Sequence, residues 1–238
     1  METIAASVLV AVAYLLFSSA LRLLGGKAAH RDIDGAPAWN YYVSLTSQGL
    51  IFPGVAIWRA LAAHHDGMPF AAWACQPAAS LASVERLPHA TIMGYMLCDA
   101  CTVYDTLPLL CHHFTCFVCT LGAAVGTFGI APNLLLLGSI VLEFGSGVRN
   151  YAFMHPTRAT CNAAVGAIGI SNLLSLLIAA YTIKVAADHG RESAAARLGP
   201  WITFLVTVGL CAGRQLLMNA KYREVVAADR AAAEAKVS

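Results

Sequence analysis

Charge is scarce in this chain. Lysine and arginine supply 15 of its 238 residues and aspartate and glutamate 13, so only 12% of positions are charged. Soluble domains carry about 25%. The net charge of +2 is too small to imply nucleic acid as a partner, and no basic stripe interleaved with aromatics occurs. There is no P-loop, no G-x-S-x-G elbow and no H-E-x-x-H pair, which removes the usual signatures of phosphate cradling, α/β-hydrolase catalysis and zinc proteolysis. No repeat at a period of about 20–50 residues is visible. The start, Met1-Glu2, lacks the positive residues of a secretory leader, and the apolar run to Leu24 is long for one. It reads as a signal-anchor helix.

What the chain has is hydrophobicity, at 58% of residues and a mean hydropathy of +0.66. The reading is all-α: a polytopic membrane helical bundle in a single compact unit. A spanning helix takes about 20 mostly apolar residues. Seven candidates fit, over residues 4–24, 39–61, 89–110, 112–130, 132–153, 159–186 and 200–218. Gly199-Pro200 serves as the start signal of the last. The stretches 62–88 and 187–199 read as polar connectors, and residues 220–238 as a charged, Ala-rich helix or a disordered tail, solvated in either form.

Lysine and arginine near the span ends set the orientation. Seven spans put Arg22, Lys27, Arg31, Arg149, Arg158, Arg214, Lys221, Arg223, Arg230 and Lys236 on the side of the C-terminus. They leave Arg59, Arg86, Lys184, Arg191 and Arg197 opposite. The bias predicts a luminal N-terminus and a cytosolic C-terminus.

Ionisable residues at membrane depth are costly and mark cavities, relays or sites. His112-His113 open the fourth span, with Asp99 and Asp105 just upstream in the third. In the fifth, Glu143, Ser146 and Asn150 are spaced i, i+3, i+7 and share one helical face, with Arg149 beside them. Such a stripe should face the bundle interior, because lipid cannot satisfy it. Asp99, Thr102 and Thr106 form a similar stripe, and spans three and four are joined so tightly that they are antiparallel neighbours. Either aspartate then comes within reach of the histidines. Single polar residues also act as interhelical glue, but two histidines, two aspartates and a glutamate exceed what packing needs.

The cysteines offer a competing pattern. Cys98-x-x-Cys101 and Cys116-x-x-Cys119 flank Cys111-His112-His113, a spacing reminiscent of zinc sites. Both pairs lie inside predicted spans rather than on knuckles, where cysteine behaves as a small hydrophobe. Free thiols and no metal site are expected.

Together, Trp39-Asn40-Tyr41-Tyr42-Val43-Ser44, Gly94-Tyr95-Met96-Leu97-Cys98-Asp99, His112-His113 and Leu142-Glu143-Phe144-Gly145-Ser146 with Asn150 resemble the TLC-domain membrane proteins. The likeness runs over residues 35–220, leaving residues 1–34 as an N-terminal helix and loop and 221–238 as a cytosolic tail. It implies a six-helix barrel around a lipid-accessible cavity, and an endoplasmic reticulum address. The family includes ceramide synthases and smaller members linked to lipid composition or trafficking. Gln48 stands where the family pattern has a histidine, and the longer synthase signature after the histidine pair is missing, so this chain is more similar to the smaller members.

Three functions follow as expectations. One is a non-catalytic protein of lipid homeostasis whose partners are membrane lipids, with Ser44, Gln48, Glu143, Ser146, Arg149 and Asn150 orienting a headgroup. Another is a ceramide synthase-like N-acyltransferase. There His112 or His113 acts as base or acyl acceptor, Asp99 or Asp105 orients a ring, and Arg149 or Arg158 meets the phosphates of acyl-CoA, a co-substrate. No cofactor is called for in either. The third is a transporter, for which the supporting inverted repeats and broken helices are not visible.

Overall fold

The computed structural model describes residues 2–102, 107–125, 131–188 and 194–235. Asp105, Thr106 and Tyr104 lie outside them. The architecture is helical: α1 (Glu2–Leu24), α2 (Gly26–Ala29), α3 (Ala38–Thr46), α4 (Phe52–His65), α5 (Phe70–Ala74), α6 (Leu87–Thr102), α7 (Leu107–Ala124), α8 (Pro132–Met154), α9 (Arg158–Asp188) and α10 (Ala194–Glu234). A two-residue hairpin pairs β1 (Asp32–Ile33) with β2 (Ala36–Pro37), Asp32 opposite Pro37. Its turn is Asp34-Gly35, both at positive φ (51° and 85°), the conformation that a tight hairpin with the right-handed strand twist requires.

Among the described residues three helices are long and apolar enough to cross a membrane: Thr3–Leu24, Arg158–Asp188 and Arg197–Glu234. All three turn large apolar side chains outward, including Leu9, Leu16, Ile170, Leu173, Leu205 and Leu216. Exposed apolar surface on this scale is what a lipid-facing wall presents. The other expected spans are shorter or interrupted. α6 covers 16 residues, and α8 carries Glu143 and Arg149 along its 23.

Several boundaries differ from the sequence reading. Leu107–Leu110, expected to close the third span, belong to α7. His112 therefore sits inside α7 instead of opening it. The segment 62–88 is packed, not a solvated connector, since Trp73 is 1% and Leu81 5% exposed, and Asn133 Nδ2 donates to the Trp73 carbonyl at 2.9 Å. The last helix runs through Pro200, which was expected to begin it, and on to Glu234, so residues 220–234 take the helical of their two expected forms. Lys221 Nζ ties it to Asp34 Oδ2 on the hairpin at 2.7 Å.

α3 and α4 are joined by a π-helical turn, Ser47–Ile51. Pro53 is the local cause: an α-helix through it would bring the proline ring against the carbonyl of Gly49. Widening the turn relieves that contact, with the Phe52 N–H reaching the Ser47 carbonyl instead. π turns recur at functional sites, and this one carries Gln48.

Packing relies on small residues and interhelical hydrogen bonds, as between helices in lipid. Gly94 of α6 lies so close to α1 that a Cβ there would be 2.6 Å from the Val10 Cβ. Tyr14, Trp39, Phe52, Tyr95 and Leu136 form the main apolar cluster, with Arg22 stacked 3.9 Å above the Trp39 ring. Ser175 Oγ donates to the Gly138 carbonyl at 2.8 Å, locking α9 to α8, and Asn172 Nδ2 donates to the Cys211 carbonyl at 3.1 Å, locking α9 to α10.

Candidate functional site

The helix pair α6–α7 brings Asp99 to His113. Asp99 Oδ2 lies 2.9 Å from His113 Nε2, and both side chains are buried. The hydroxyl of Tyr95, one turn before Asp99, is 3.4 Å from the same carboxylate oxygen and 2.9 Å from Ser44 Oγ on α3. Four polar side chains from three helices thus form one continuous chain. Thr102 spends its hydroxyl locally, on the carbonyls of Cys98 and Asp99.

A second network centres on the π turn. Gln48 Nε2 donates to Glu143 Oε2 at 2.6 Å, and Asn150 Nδ2 donates to Gln48 Oε1 at 3.1 Å. Arg149 Nη2 donates to Asn150 Oδ1 at 3.1 Å. Gln48, Glu143 and Asn150 are all buried. The i, i+7 spacing of Glu143 and Asn150 lets a single glutamine on the facing helix touch both. Ser146 is buried on the same stretch of α8.

Between α6, α7, α8 and α10 lies a narrow cavity of about 60 Å³. Its walls are stripes on antiparallel helices. α7 contributes His112, Cys116, Thr120 and Ala123. α8 contributes Pro132, Leu136, Ser139 and Glu143. α10 contributes Thr203, Thr207, Leu210 and Arg214. Each stripe spans twelve residues, about 16 Å at helical rise. α7 and α8 run in opposite directions, and α10 runs with α8. The polar ends of the stripes, His112, Glu143 and Arg214, therefore meet at one end of a mostly apolar slot, and Ala123, Pro132, Thr203 and the buried His89 imidazole close the other.

The two histidines diverge. His113 turns to Asp99, while His112 lines the cavity with its Nδ1 3.6 Å from Cys116 Sγ. Of the expected headgroup residues, only Glu143 lines the cavity. Ser44 belongs to the Tyr95–Asp99–His113 chain, and Gln48, Asn150 and Arg149 stand behind Glu143. Asp105 lies outside the described residues. Among those residues no group of three or more His, Cys, Asp or Glu side chains is arranged to hold a metal ion.

Arg214 and Tyr95 are functional-site residues that the sequence reading did not single out. Arg214 counted there only toward orientation, yet it falls inside the predicted 200–218 span. The rule applied to Glu143, that a charge at membrane depth marks a site, picks it out equally well. Tyr95 was in view within the Gly94–Asp99 motif, and its spacing of four from Asp99 places both on one face.

No family model, curated protein or solved structure matches the chain.

Proposed function

We propose that the chain is a multi-pass membrane protein of TLC-domain type, with seven membrane-crossing segments, that acts in lipid homeostasis by holding a membrane lipid inside its bundle. The observation that carries this reading is the lining of the slot between α6, α7, α8 and α10, with Ile92, Met96, Leu135, Leu136 and Leu210 on its walls and its charged residues at one end. That is the polarity of a single amphiphile, a tail among aliphatic side chains and a head at His112, Glu143 and Arg214. Endoplasmic reticulum residence, a luminal N-terminus and a cytosolic C-terminus belong to the same proposal. Native mass spectrometry of the full chain released from lipid nanodiscs tests it. The wild type retains one lipid per chain. Leu135→Trp, which fills the slot, retains none while staying monodisperse. Equal retention by both, or by neither, contradicts the reading.

A second reading, N-acyl transfer from acyl-CoA to a sphingoid amine, is favoured by one contact, the 2.9 Å separation of Asp99 and His113. Asp99 would fix the His113 tautomer and orient the ring. The imidazole would take the proton of the attacking amine as the new C–N bond forms, and return it to the departing CoA thiolate as the thioester C–S bond breaks. Reconstituted protein given long-chain acyl-CoA and sphinganine would yield N-acyl product, lost in His112→Ala/His113→Ala. Absence of product from folded wild type removes this reading and leaves the first intact.

A further inference from the structure

Arg214 is 7% exposed and lines the slot at its polar end. Guanidinium carries five N–H donors and stays protonated in proteins. Nη2 reaches the Leu142 carbonyl, Nη1 donates to Asn172 Oδ1 at 3.3 Å, and buried Nε has no hydrogen-bond partner among the described residues. Among the described residues no carboxylate lies within 4 Å of it. Glu143, which shares the slot, is engaged by Gln48 at 2.6 Å. The fold makes room for this cation, since a Cβ on Gly145 would stand 2.8 Å from Nη2. A buried charge is costly unless paired; here both bonded partners are neutral, an amide oxygen of each kind, and the opposite charge that acts on it most is Glu143, which it shares with Arg149. Arginine is well suited to carboxylate and phosphate oxygens.

We infer that the slot selects a single-chain amphiphile with an anionic oxygen head, a fatty carboxylate or an alkyl phosphate, whose head pairs with Arg214. This inference rests on the lipid-holding reading and adds the class of head to it. The competing choice, a cationic amine drawn to Glu143, would meet the like charges of Arg214 and Arg149, both of which act on that carboxylate.

The test compares heads on one tail. The full chain, reconstituted and depleted of bound lipid, is titrated with radiolabelled palmitate in a scintillation proximity assay. Hexadecanol, hexadecylamine and hexadecyl phosphate serve as competitors. Palmitate or hexadecyl phosphate binding about tenfold tighter than hexadecanol, the order expected of a charge-assisted hydrogen bond, supports the inference. The stronger of the two identifies the head. In Arg214→Gln that preference collapses while hexadecanol affinity holds. In Arg214→Lys part of the preference returns. Equal affinity for palmitate and hexadecanol in the wild type, or a preference for hexadecylamine, overturns the anionic head but leaves a lipid-holding slot. If none of the four binds, the lipid-holding reading itself falls. The wild-type comparison decides the matter whether or not either variant folds.

Discussion

His113 Nε2 and Asp99 Oδ2 meet at 2.9 Å between α7 and α6, with both side chains out of water. The contact joins two consecutive helices, and Tyr95 and Ser44 extend it to α3. Removing one partner strands the other. Asp99→Leu and His113→Leu are each expected to cost about 2 kcal/mol. The double variant should cost clearly less than the sum, with a coupling of about 1 kcal/mol or more. Thermal unfolding in detergent measures all three, and strict additivity would mean that the contact is not formed.

Gln48 is the hub of the second network, giving to Glu143 and receiving from Asn150. Gln48→Ala leaves the buried Glu143 carboxylate without its amide donor, a loss of about 1–3 kcal/mol. Gln48→His, which can donate one hydrogen bond to Glu143 but lacks the amide oxygen that Asn150 uses, should fall between wild type and alanine. A melting series of the three proteins shows the order. A neutral Gln48→Ala contradicts the network.

Close approach of α1 to α6 depends on Gly94, where an added Cβ would lie 2.6 Å from Val10 Cβ and 2.7 Å from the Ser7 carbonyl oxygen. Backbone on one side cannot yield as a flexible side chain does. Gly94→Ala should destabilise by about 1–3 kcal/mol through overpacking. Cysteines placed at Val10 and Thr91 and tested for cross-linking report whether α1 has moved away. Unchanged melting and cross-linking would show that the helices are not held this closely.

The charge bias and the seven-span proposal together predict sidedness. An epitope at the C-terminus should be reached by antibody after selective permeabilisation of the plasma membrane. One at the N-terminus should be reached only after full permeabilisation. Both termini appearing on one side would require an even number of spans.

The parts legible in sequence were those with one physical cause. The apolar stretch of residues 132–153 reproduces α8 almost to the residue, and its polar stripe does face inward, where Glu143 and Asn150 find Gln48. The tight connection between spans three and four made Asp99 a neighbour of the histidines, and the contact to His113 is there. Competing local effects hid the rest. Pro53 opened a π turn at Gln48, and Pro200 sits inside a helix that it was expected to begin. The slot was not legible, because it needs the register of α10 against α8, which is set by Asn172, Cys211 and Arg214 across α9. Nothing in the periodicity of any one helix carries that register.

The most direct test of the account is to look into the slot. An electron cryomicroscopy map of the full chain in lipid nanodiscs, with a bound antibody fragment to give it size, should show one elongated density. It should run from between Ala123, Pro132 and Thr203 toward Arg214, with its thicker end at the guanidinium. Side chains closing over the same space with no density between α7, α8 and α10, in protein of native fold, would contradict the account.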